Sequence, residues 1–99
     1  MKKNFYKLFK TKKPIIAMVH FPALPGSPLY DDKKGLDFIY QSIEKDLTNL
    51  QKAGVDAVMF GNENDRPYEL KVNRATLSTM SFMIGKLSRK ISIPFGVNV

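Results

Sequence analysis

The sequence predicts an α/β fold of parallel strands, in the order strand, helix, strand, helix, strand. Three observations predict it. Apolar runs of strand length, rich in β-branched residues, occur at 15–19, 55–60 and 93–99. Between them, apolar residues recur at helical spacing: Leu36, Ile39, Tyr40, Ile43, Leu47 and Leu50, then Leu77, Met80, Ile84, Leu87 and Ile91. Each strand-to-strand connection is long and holds a helix, which demands parallel strands joined by right-handed crossovers.

Taken in order, residues 4–10 can form a short amphipathic helix with Phe5, Leu8 and Phe9 on one side. Residues 10–13 are a polar linker. Ile15 to Val19 reads as a fully buried strand bounded by Pro14. Phe21 to Gly35 is a loop that Pro22, Pro25 and Pro28 stiffen by fixing φ. In the first long helix, Asp37 suits the start and Lys52 the end, and Gly54 stands where a left-handed cap belongs. Val55 to Phe60 is the second strand and Gly61 to Asn73 a polar loop. Asn73 is the expected cap of the second long helix, with Arg89 and Lys90 at its end. Ile93 to Val99 is the third strand, with Pro94 tolerated near its beginning.

Loops after strands are long and polar, and those before strands are short. That asymmetry places function at the strand C-terminal ends. The third strand has no helix over it and no partner on its outer edge, a costly state for a parallel sheet. The 99 residues are therefore expected to be the opening part of a longer protein. The exposed edge is expected to meet the remainder of a barrel or another copy of the chain.

Composition narrows the classes of function. The chain has no cysteine, so disulfides and thiolate sites are excluded. No apolar run approaches the roughly 20 residues that cross a bilayer. Lys2, Lys3, Lys7, Lys10, Lys12 and Lys13 account for six of the seven net positive charges. The basicity is thus local to a lead segment at 1–13, read as a solvated terminal helix. A nucleic-acid surface would spread Lys and Arg over a folded face, so nucleic acid is not the expected partner. No glycine-rich phosphate loop, dinucleotide fingerprint or zinc spacing is present.

Two stretches are specific enough to suggest a family. Pro14-Ile-Ile-Ala-Met-Val-His-Phe-Pro-Ala-Leu-Pro-Gly-Ser-Pro28, followed by Tyr30-Asp31, resembles the opening of the BtpA/SgcQ family, as does Asn62-Glu-Asn-Asp-Arg-Pro-Tyr68. Ala53-Gly-Val-Asp-Ala-Val-Met-Phe60 and Ile93-Pro-Phe-Gly-Val-Asn-Val99 also fit but recur in many barrels. The resemblance runs in order over nearly the whole chain. It implies a (β/α)8 TIM-type barrel similar to ribulose-phosphate-binding barrels, of which residues 1–99 hold the first β-α-β-α-β portion. It also implies a cytoplasmic prokaryotic or chloroplast protein. One branch of the family is linked to photosystem I biogenesis, and another lies in sugar-utilisation gene neighbourhoods.

Six residues are the candidates for chemistry. His20, the only histidine, stands one step past the first strand. An imidazole there can act as acid, base or metal ligand near neutral pH, or simply hold the proline-rich loop. Glu63 follows the second strand and is expected to approach His20, raising its basicity and fixing its tautomer. Together the two could hold a divalent cation, with oxygen ligands from Asn62 or Asp65. The alternative is an Asx-rich turn that satisfies its own backbone. Arg66 could meet a phosphate or carboxylate bidentately, or pair with Asp65 or Glu69. Asn98 ends the third strand and is expected to hydrogen-bond a ligand at the barrel mouth. Asp56, at the opposite end of the second strand, reads as structural. Three functions stay open: an enzyme-type barrel for a small phosphorylated or sugar-like metabolite, a non-catalytic photosystem I-type assembly or stability factor, and a piece inactive on its own.

Overall fold

The computed structural model describes residues 2–65 and 71–99. Helix α1 (Lys2–Leu8) leads into β1 (Ile16–His20), α2 (Gly35–Ala53), β2 (Ala57–Gly61), α3 (Arg74–Leu87), a 3-10 turn (Ser88–Lys90) and β3 (Phe95–Asn98). The strands form one parallel sheet in the order β1-β2-β3. This is the α/β arrangement of a β-α-β-α-β portion of a (β/α) barrel.

Burial explains which face of the sheet each side chain takes. Val19, Val58 and Phe60 point to one side and pack with Ile39, Ile43 and Leu47 of α2 and Met80, Met83 and Leu87 of α3. The helices form because those residues recur on one stripe, and burying that stripe outweighs intrinsic propensity. Gly54 ends α2 at φ 85°, a conformation that glycine takes without the Cβ penalty, and its N–H returns to the last turn. The Asn73 side chain caps α3 by accepting the Thr76 N–H at 2.8 Å.

Neither α2 nor α3 packs on the opposite face. Parallel pairing aligns Ile16 with Ala57; Met18 with Met59 and Gly96; and His20 with Gly61 and Asn98. Ile16 and Met18 remain exposed there. Leu8 and Phe9 reach the lower end of this face, where they line a cavity of about 170 Å³ with Ile16, Met59 and Pro94. The face is thus layered along the strands: an aliphatic row, a methionine row, then a polar row at the C-terminal ends.

Several boundaries differ from the sequence expectation. His20 is the last residue of β1, and Gly61 closes β2 opposite it. Strand β3 starts at Phe95, because Pro94 lacks the N–H for a full ladder and contributes only its carbonyl, to the Val58 N–H. Helix α3 ends at Leu87, where the backbone tightens into the 3-10 turn. The Gln51 side chain then holds the approach to β3, accepting the Ser92 N–H at 2.8 Å and donating to the Lys90 carbonyl at 2.9 Å. Asp56 is structural: its carboxylate accepts the Ile15 N–H at 2.8 Å, fixing the start of β1 to the start of β2.

Candidate functional site

The strand C-terminal ends gather most of the candidate residues. His20, Gly61 and Asn98 stand side by side in one row on the uncovered face. Glycine leaves the middle of that row without a side chain. The His20 and Asn98 side chains are exposed and make no hydrogen bond among the described residues. Glu63 is exposed at the tip of the turn that the Asp65 N–H closes on the Asn62 carbonyl at 2.9 Å. Among the described residues His20 and Glu63 form no ion pair. Arg66 lies outside the described residues.

Asn62 and Asp65 occupy a different environment. Both are 7% exposed. One Asp65 oxygen accepts the Leu24 N–H at 2.8 Å. The other faces the Asn62 amide at 3.2 Å and the Thr76 hydroxyl at 3.5 Å. The Asp65 carboxylate is therefore engaged by protein groups, and it suspends the proline-rich loop after β1 from the loop after β2. The Asn62 Nδ2 is committed to Asp65, while its buried Oδ1 has no partner among the described residues.

Two further residues tie the loops, and sequence reasoning gave them no role. The Asn64 amide donates to the Phe21 carbonyl at 2.8 Å. Thr76 is buried beside Asp65. The loop after β1 is also anchored from within, since Phe21 and Leu24 are fully buried in the core. Beside this loop, Pro22, Tyr30, Asp31, Lys34 and Phe38 line a second cavity of about 180 Å³. Asp31 serves the backbone there, accepting the Lys33 N–H at 3.1 Å.

The arrangement sorts the candidates by chemistry. Among the described residues the His20, Glu63 and Asn98 side chains are exposed and make no hydrogen bond to protein groups. Asn62 and Asp65 tie the loops instead. A cation would need several anionic or imidazole donors together. Among the described residues no group of three or more His, Cys, Asp or Glu is placed to hold one.

A parallel sheet with α2 and α3 packed on one face is the α/β arrangement found in part of a (β/α) barrel. The BtpA family model matches residues 11–99, and the chain belongs to the BtpA family. It is 48% identical to SgcQ of Escherichia coli K12 over 89 residues, covering 90% of this chain and 33% of that protein. It is 40% identical to a protein of Pyrococcus horikoshii, covering 88% of this chain and 33% of the other. It is 29% identical to the photosystem I biogenesis protein BtpA of Synechocystis, covering 97% of this chain and 33% of that protein. The chain thus spans about a third of the length of the relatives it matches. No solved structure matches it. Among the described residues no helix is long and apolar enough to cross a membrane.

Proposed function

We propose that this chain supplies the first part of a ligand site at the C-terminal ends of barrel strands, and that the site takes a small phosphorylated or sugar-like metabolite. His20 exchanges a proton with the ligand, Glu63 offers it a carboxylate and Asn98 orients it by hydrogen bonding. Asn62 and Asp65 hold the surrounding loops, and Arg66 is the candidate for an anionic group. The observation that carries this reading is the aligned row of His20, Gly61 and Asn98, in which two exposed polar side chains flank the glycine. Strand ends in this fold present side chains to a shared mouth, where loops from several units complete the site.

A second reading is favoured by the likeness to the Synechocystis protein: a non-catalytic assembly factor that uses the barrel as a scaffold. Replacement of His20 by Ala and of Glu63 by Gln in the intact protein separates the two. Binding of ribose 5-phosphate and glycerol 3-phosphate is measured by calorimetry, and melting temperature independently. The ligand-site reading expects both affinities to fall with melting temperature unchanged. Binding that survives both replacements, with a lowered melting temperature, leaves only the scaffold.

A further inference from the structure

The cavity of about 180 Å³ beside the loop after β1 changes character with depth. Ile39, which lines it from α2, is buried, and Pro22 and Ala23 are half-buried. Asp31 and Lys34, which also line it, are exposed and carry opposite charges. The inner lining is therefore apolar and the outer lining charged. A cavity of roughly 150 Å³ accommodates a benzene ring, so this one has room for a single phenyl or branched alkyl group.

The two charges are not spent on each other. Among the described residues Asp31 and Lys34 form no ion pair. One Asp31 oxygen accepts the Lys33 and Lys34 N–H groups at 3.1 and 3.4 Å, and the other makes no hydrogen bond among the described residues. The Lys34 ammonium lies 4.7 Å from the centroid of the Phe38 ring, which also lines the cavity. That contact holds the positive charge beside the cavity without neutralising it. A ligand with one charge would meet one attraction and one repulsion here. A ligand whose head carries both signs meets two attractions.

We propose that this cavity binds a free α-amino acid with an apolar side chain. The phenyl or branched alkyl group enters among Pro22, Ala23 and Ile39, the ammonium meets the Asp31 carboxylate, and the carboxylate meets the Lys34 ammonium. The site is separate in its residues from the strand-end row of His20, Gly61 and Asn98, and neither assignment depends on the other.

The test titrates the intact protein by calorimetry with L-phenylalanine, with N-acetyl-L-phenylalanine, which lacks the ammonium, and with L-phenylalaninamide, which lacks the carboxylate. L-Phenylalanine is expected to bind about tenfold or more tightly than either analogue, the worth of one charge-assisted hydrogen bond. Asp31→Asn and Lys34→Gln are then compared with the wild type; Asp31→Asn keeps an acceptor for the Lys33 N–H. Each variant is expected to lose about tenfold in affinity for L-phenylalanine. Asp31→Asn, without its negative charge, should gain affinity for N-acetyl-L-phenylalanine, and Lys34→Gln should gain affinity for L-phenylalaninamide. Parallel loss of all three probes in both variants would mark lost packing instead of lost charge and overturn the inference. Equal affinity of the wild type for the three probes, or no binding of L-phenylalanine at millimolar concentration, would overturn it as well. Ribose 5-phosphate affinity is expected to be unchanged in both variants, so failure here and failure of the ligand-site reading are told apart.

Discussion

The Asp65 carboxylate accepts the Leu24 N–H at 2.8 Å although 41 residues separate the two in sequence. This bond fixes where the proline-rich loop lies relative to His20. Replacing Asp65 by Ala would leave the Leu24 N–H buried without an acceptor, at a cost of about 1–3 kcal/mol. Asp65→Asn keeps one acceptor oxygen and is expected to cost less. Urea titration of both variants checks the order. Equal stability of wild type and Asp65→Ala would show that the loop needs no such support.

Gly61 is not among the glycines at positive φ, and a Cβ there would make only ordinary contacts. Gly26 presents the opposite case. Its φ is 94°, and a Cβ there would stand 3.2 Å from the Ala75 Cβ at the start of α3. Gly26→Ala is expected to destabilise by about 1–2 kcal/mol, the penalty of the left-handed region for an L residue. Thermal melts of Gly26→Ala and Gly61→Ala should therefore move in different directions, or at least differ clearly in size.

The surface pair of Lys90 and Glu44, 2.6 Å apart, gives a pH dependence with a definite sign. Hydrogen bonding from Lys90, and then from Tyr40, holds the Glu44 carboxyl below its usual range. The same contact raises Lys90. The Glu44 contribution is present above the carboxylate range of the unfolded chain and is lost as pH falls through the lowered folded value. The Lys90 contribution is present below the ordinary lysine range and is lost as pH rises through the raised folded value. Wild type and Glu44→Gln should differ slightly in melting temperature at neutral pH and converge in acid, with a smaller difference in high salt. A constant difference at every pH would remove the pair as its cause.

Phe60 is fully buried between the helices and the sheet, with the Phe21 ring 6.2 Å away and the Phe95 ring 5.9 Å away. Phe60→Ala is expected to cost about 3–5 kcal/mol by equilibrium unfolding. A loss below about 1 kcal/mol would mean that the core had collapsed into the space.

The element order was legible because the buried stripes of α2 and α3 repeat at helical spacing, and burial of Ile39, Ile43 and Leu47 enforces that pattern. The limits of β3 were less so, since Ile93 and Pro94 look like strand residues in composition while the ladder begins only at Phe95. His20 and Asn98 could be placed at strand ends, but their alignment with Gly61 depends on register, which a single strand does not encode. Asn62, Glu63 and Asp65 are similar residues in one turn. Only tertiary burial separates the two that hold the loops from the one left at the tip, and a loop has no periodicity to announce it. The Asn64 bond to Phe21 was invisible for the same reason.

The ties from Ile15 to Asp56, from Leu24 to Asp65 and from Ser92 to Gln51 each span 41 residues. None reaches past the neighbouring unit. A nascent chain leaving the ribosome can therefore close each tie as soon as the next unit has emerged, without waiting for distant sequence. Synthesis and consolidation advance at the same pace, and a growing polypeptide of this kind hides its apolar stripes unit by unit instead of displaying them all until translation ends.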